Sequence, residues 1–113
     1  PMSVQQQLAR LQQLQQTLSV LLAEKQKIQA ELEEIKLAIE ELNKSEENII
    51  VYKAVGPVLV QTTREKVLSE LAEKRDLDDT RLKVIEKQES RTRAQIESLQ
   101  REIQSMLGGE KQA

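Results

Sequence analysis

Residues 49–60 read IIVYKAVGPVLV, two aliphatic, β-branched runs on either side of Gly56-Pro57. A Gly-Pro pair between apolar runs is turn chemistry, because Gly takes a positive φ without strain and Pro presets its own φ. Ile49 to Val55 and Val58 to Gln61 are apolar at nearly every position instead of alternating. A half-buried strand alternates, so this pattern predicts a hairpin covered on both faces. An isolated two-stranded hairpin is marginal in water, and unpaired apolar edges invite partners.

Helical heptads flank the hairpin on both sides. Upstream, Leu11, Leu18, Lys25, Leu32 and Ile39 recur at seven-residue spacing, with Val4 extending the row. Leu14, Leu21, Ile28, Ile35 and Leu42 form a companion row, which Gln7 breaks at its start. Lys25 is the one polar member of those two rows, a strong coiled-coil pattern. Asn43-Lys44-Ser45 supplies stop chemistry. Downstream, Thr62-Thr63-Arg64-Glu65 has capping-box spacing, with the Thr62 hydroxyl and Glu65 carboxylate each facing a first-turn amide. The rows that follow are Leu68, Arg75, Leu82, Glu89, Ile96, Ile103 and Leu71, Asp78, Ile85, Thr92, Leu99, Met106, weaker in their middle third. Gly108-Gly109 is expected to end this helix.

The predicted organisation is one domain: a coiled-coil helix over 3–43, a β-hairpin over 49–61, a second coiled-coil helix over 63–107 and a frayed tail over 108–113. Each arm of about 40 residues is roughly 60 Å long at the α-helical rise. Equal arms joined by a short insert fold back antiparallel. Pairing positions that sum to 110 sets Leu42 against Leu68, Leu32 against Asp78, Lys25 against Ile85 and Val4 against Met106. Lys25 then lies one layer from Glu89, where it either bends its ammonium to the carboxylate or snorkels to water. The fold class is mainly α: an antiparallel two-helix coiled-coil hairpin with one β-hairpin at the fold-back. Because the arms use their apolar rows on each other, cover for the β-hairpin has to come from other subunits, with hairpins joined in a common body.

Composition narrows the function. Of 113 residues 32% are charged and Tyr52 is the one aromatic, which suits solvated helices and not a large compact core. With neither Cys nor His, thiolate chemistry, Cys-based zinc sites and the usual neutral-pH base are missing. Net charge is −2 with both signs interleaved, so no nucleic-acid partner is expected. The longest apolar runs, such as Val20 to Ala23, are far too short for a bilayer. No cationic start with an apolar stretch opens the chain, and the expected location is cytoplasmic. Gly56, Gly108 and Gly109 form no phosphate-binding loop. Carboxylate pairs such as Glu33-Glu34 and Asp78-Asp79 read as exposed charged faces, and no nucleophile has a base at useful spacing. A non-enzyme without cofactor or metal is expected.

The order helix, β-hairpin, helix, with VYKAVGPVLV at 51–60, resembles the β-class subunits of prefoldin. The likeness is carried by Val51, Tyr52, Lys53, Val55 and Gly56, then Leu59 and Val60, then Thr62 to Glu65. It extends to the Gln-rich opening QQQLARLQQLQQTL and the KVIEKQESR stretch of the second arm. Pro57 departs mildly from the pattern and suggests an edge or bulge. A single hairpin places the chain in the β class, and the short ends suggest the archaeal form.

The resemblance implies an ATP-independent holdase, a heterohexamer of two α-class and four β-class subunits with a β-barrel body and six coiled-coil tentacles. Ile49, Ile50, Val51, Tyr52, Val55, Gly56, Val58, Leu59 and Val60 would then form the oligomerisation hairpin. Non-native polypeptides would be held at the tentacle tips and passed to a group II chaperonin. Client-binding candidates are Val4, Leu8, Leu11, Leu99, Ile103, Met106 and Leu107, where both termini meet. Ile103 faces polar Gln7 in the 110 register, so incomplete packing is expected there. The charged C-terminal end, around Arg101, Glu102, Glu110 and Lys111, is the candidate chaperonin contact. A coiled-coil spacer or tether is the alternative, although a polar turn would suffice for one. A nucleic-acid-binding helical hairpin would need clustered Lys and Arg, which this chain lacks.

Overall fold

The computed structural model describes residues 2–112, with side chains as far as Gly108. Helix α1 spans Val4–Lys44, strand β1 Val51–Val55, strand β2 Val58–Thr62 and helix α2 Arg64–Gln112. By internal contacts the chain divides into a terminal unit, residues 1–26 with 83–113, and a hairpin unit, residues 27–82.

Local chemistry sets each boundary. At the start of α1 the Gln6 amide donates to Ser3 Oγ at 3.1 Å, and the Ser3 amide donates to Gln6 Oε1 at 2.9 Å. This reciprocal capping box satisfies two orphan donors. One of the last carbonyls of α1 is also met: Leu42 O accepts from Ser45 Oγ at 2.6 Å and from Arg64 Nε at 2.8 Å. Glu46 to Ile49 then form a turn in which the Ile49 amide donates to Glu46 O at 3.2 Å, so the strand starts at Val51 and leaves Ile49 and Ile50 outside it.

The α2 cap lies one residue later than expected. Thr62 is held in the strand ladder opposite Val51, and Thr63 Oγ1 accepts from the Lys66 amide at 3.3 Å instead. Glu65 engages Arg64 at 3.4 Å. Nor do Gly108 and Gly109 end α2, which runs to Gln112. Gly108 keeps a negative φ, so the left-handed turn that closes helices does not form there. A helical glycine costs about 1 kcal/mol, which weakens a helix without forbidding it. Ala113 of the expected tail lies outside the described residues.

The strands pair antiparallel with Val51 opposite Thr62, Lys53 opposite Val60 and Val55 opposite Val58. Gly56 has a φ of 56°, and Pro57 keeps its ring-fixed negative φ, the combination of a type II′ turn. Pro57 therefore sits inside the turn, where its missing N–H interrupts no ladder bond. No bulge forms.

In the terminal unit Leu14, Leu99 and Ile103 make a buried cluster against which Leu11 and Ile96 pack. The antiparallel pairing brings those residues together. Leu21 and Ile85 are also buried in this unit, and Ile28 and Ile35 are buried in the hairpin unit. Thus the companion row of α1 lies deep from Leu14 to Ile35, whereas Leu42 and the Leu11, Leu18, Leu32 and Ile39 row are half-buried. Two helices have no third neighbour to close the rim of their interface.

Candidate functional site

The hairpin presents apolar side chains on both faces. Strand alternation sets Val51, Val55, Val58 and Val60 on one face, and Tyr52, Ala54 and Leu59 on the other. Leu59 is 71% exposed, and Ile49, Ile50, Tyr52, Val55, Val58 and Val60 are exposed too. Val51 alone among the strands' apolar residues is half-buried. The hairpin is tied to α2 by Lys53 Nζ, 2.9 Å from Glu70 Oε2. A cleft of about 420 Å³ lies beside that contact, lined by Tyr52, Lys53, Val67, Glu70, Leu71 and Lys74. Exposed β-branched residues on both faces of so small a sheet mark an interaction surface.

A second apolar surface lies in the terminal unit. Leu8, Met106 and Leu107 are exposed, Val4 and Leu11 are half-buried, and Leu99 and Ile103 are buried. The expectation that Ile103 packs incompletely does not hold, since it is only 7% exposed. Gln7, opposite it, is 6% exposed and turns its amide sideways, where Nε2 donates to Glu102 Oε2 at 3.3 Å. That leaves Ile103 to the Leu14 and Leu99 cluster. Among the described residues Gln7 Oε1 has no partner. Arg101 is exposed and donates to Glu97 at 2.7 Å, while the side chains of Glu110 and Lys111 lie outside the described residues.

A family model for prefoldin subunits matches residues 5–110. The chain is 42% identical to prefoldin subunit beta of Methanothrix thermoacetophila, over 96% of this chain and 90% of that one. It is 40% identical to prefoldin subunit beta of Pyrococcus furiosus, over 95% of this chain and 92% of the relative. A crystal structure of the prefoldin beta subunit from Thermococcus strain KS-1 superposes with a TM-score of 0.87 at 38% identity, covering 95% of this chain and 94% of that one. The chain belongs to the prefoldin family, in its β class.

Membership makes this chain a prefoldin chaperone subunit, and the VYKAVG segment that carried the resemblance is β1 with the first residue of its turn. The helices of this prefoldin chain also hold polar groups at their interface. Lys25 bends towards Glu89, with Nζ 2.9 Å from Oε1, and Arg93 Nε reaches the other oxygen at 2.9 Å. The Lys25 hydrogen bond, then the Arg93 one, holds the Glu89 carboxyl below its ordinary range. In the hairpin unit Lys74 Nζ is 2.8 Å from Glu31 Oε1, and that hydrogen bond lowers Glu31 likewise and raises Lys74.

Asp78 departs from its sequence reading. It is 1% exposed, not part of a solvated face; Oδ1 is 3.7 Å from Arg81, and Oδ2 has no partner among the described residues. The signal was present, because Asp78 falls in an apolar row one heptad after Leu71, whereas Asp79 lies beside the row and is exposed. Thr92 is buried in the terminal unit for the same reason. Among the described residues no acidic, His or Cys group is arranged to hold a metal ion, and no helix is long and apolar enough to cross a membrane.

Proposed function

We propose that this chain is the β-class subunit of an ATP-independent holdase, assembled with an α-class partner as an α2β4 heterohexamer. The hairpins join in a β-barrel body, which covers the exposed faces of β1 and β2. Non-native polypeptides are captured by the apolar end of the terminal unit and handed to a group II chaperonin in the cytoplasm. The chain works by binding and carries out no chemical step.

The observation that supports capture is the exposure of Leu8, Met106 and Leu107 together on the terminal unit. Small apolar surfaces with an adaptable Met suit weak, promiscuous contacts with unfolded chains. Val4 and Leu11, half-buried, add to that surface, while Leu99 and Ile103 act behind it as packing.

The test is suppression of aggregation of a denatured client by the reconstituted complex, with and without ATP. Equal protection is expected. Protection that required nucleotide hydrolysis by this chain, or full protection by a Leu8→Ser, Met106→Ser, Leu107→Ser complex, would refute the capture assignment. A plain tether would bind no client under either condition.

A further inference from the structure

The hairpin meets the helices at its base and through one side chain. Of the strand residues only Val51 and Thr62, paired across the ladder at that base, are half-buried; all the others are exposed. The chain passes from β2 into α2 through a single residue, Thr63, while residues 45–50 join α1 to β1. Rotation about the Thr63 backbone therefore swings the hairpin relative to α2. No packed face opposes that swing, because the cleft of about 420 Å³ lies between Tyr52 and Lys53 on β1 and Val67 and Leu71 on α2. Lys53 reaches across, with Nζ 2.9 Å from Glu70 Oε2. Among the described residues this is the one side-chain bond from the strands to a helix. Glu70 lies about 9 Å along α2 from Arg64, so the pair acts as a strut well away from the pivot.

We infer that Lys53 and Glu70 are positioning residues: their pair sets the angle of the hairpin to α2, and with it the angle at which the helices leave the assembled body. The second half of this rests on the body proposed above. The charge pattern supports the assignment. Lys53 is the one charged residue between Val51 and Thr63, and it shares a face with Val51, Val55, Val58 and Val60. A residue needed only to cover that face would be apolar there, as its neighbours are. An ammonium carried into a covered apolar face is costly unless it is paired. Glu70 supplies the partner from the same chain, so the pair forms whichever subunit packs against the hairpin. Lys74 lines the same cleft but is bonded to Glu31, which leaves Glu70 to Lys53.

The experiment reads the hairpin angle with spin labels. The chain has no Cys, so Ala54→Cys and Glu73→Cys, both at exposed positions, take labels at those two sites alone. Double electron–electron resonance on the full chain should give one narrow distance. Glu70→Gln keeps every hairpin residue and should raise the released fraction by up to about fivefold, the worth of an exposed ion pair, and broaden the distribution. Lys53→Gln should do the same, and the double variant should go no further than either single change, as one shared contact requires. An unchanged distribution in Glu70→Gln, or effects that add in the double variant, overturns the proposal. In the complex reconstituted with an α-class subunit, Glu73→Cys alone reads spacings between subunits. Glu70→Gln should still sediment as the hexamer and show broader spacings. Equal spacings would refute the role in arm angle, and loss of the hexamer would make Glu70 a subunit contact and refute it too. A parent chain that forms no hexamer would instead overturn the body and the arm angle with it, while the distance within the chain judges the strut by itself.

Discussion

Asp78→Leu should stabilise the protein. The wild-type carboxylate is 1% exposed, with one oxygen unpartnered among the described residues and the other 3.7 Å from Arg81. Replacing a buried and poorly paired charge by an apolar residue is often neutral or favourable by roughly 1–4 kcal/mol. That range already contains the burial of the apolar replacement in the row that holds Leu71. Leu is the larger side chain, and overpacking takes back about 1 kcal/mol or more. The net expectation is a gain of up to about 3 kcal/mol, or several degrees in Tm for a chain of this size. Thermal melts followed by far-UV circular dichroism, at fixed concentration of the assembled complex, read this directly. Lys74→Ala is the counter-experiment: it removes the ammonium that pairs with Glu31 and also favours the charge of Asp78, and stability should fall. A Tm lower in Asp78→Leu than in the parent would show that Oδ2 is well satisfied in solution, and the reasoning would be wrong.

Two further outcomes follow from the same geometry. Val60→Asp should leave the helicity of the chain nearly intact, because Val60 is 48% exposed in the isolated chain. It should abolish the proposed hexamer on sedimentation, since Lys53 opposite it is already engaged by Glu70 and a poorly paired charge in a buried interface costs several kcal/mol; an intact hexamer would remove the hairpin from the interface. Glu31 and Glu89 have folded pKa values below the ordinary 4.5, so their stabilisation is present above that pH and is lost as pH falls through the lowered values. Melts should therefore drop below about pH 4.5, and Glu89→Gln should flatten that drop; an unchanged acid profile in Glu89→Gln would exclude the Lys25 pair as its source.

Most of the architecture is legible in the sequence because it rests on periodicity. Two apolar rows at heptad spacing and a Gly-Pro turn between β-branched runs leave few alternatives to two helices around a hairpin. What escaped the reading was decided by competition between neighbours. Thr62 and Thr63 are equally good caps, and only strand pairing of Thr62 with Val51 decides between them. Ser3 and Gln6 form a capping box whose glutamine looks like one more residue of a Gln-rich run. Gly108 reads as a stop, but a stop needs a left-handed turn that the backbone does not take. The candidate end was legible in position and not in exposure. Ile103 is covered by its packing with Leu14 and Leu99 while Gln7 reaches sideways to Glu102, a side-chain choice that no periodicity encodes.

The polar groups at the helix interface also bear on why the arms keep one register. Leu and Ile fill most heptad positions near the ends of both helices, so apolar packing there accepts a slip of one heptad at little loss. The pair in the terminal unit does not. A one-heptad slip carries Glu89 about 10 Å along the helix from Lys25. The two side chains are 24% and 14% exposed; a slip would leave Lys25 partly desolvated with no partner and Glu89 with Arg93 alone. Stranding a buried charge costs far more than an exposed ion pair contributes. Lys25 and Glu89 therefore discriminate between registers that the leucines treat as nearly equal. Their presence costs some affinity between the helices and rules out pairings that would displace the exposed apolar residues Leu8, Met106 and Leu107 relative to one another.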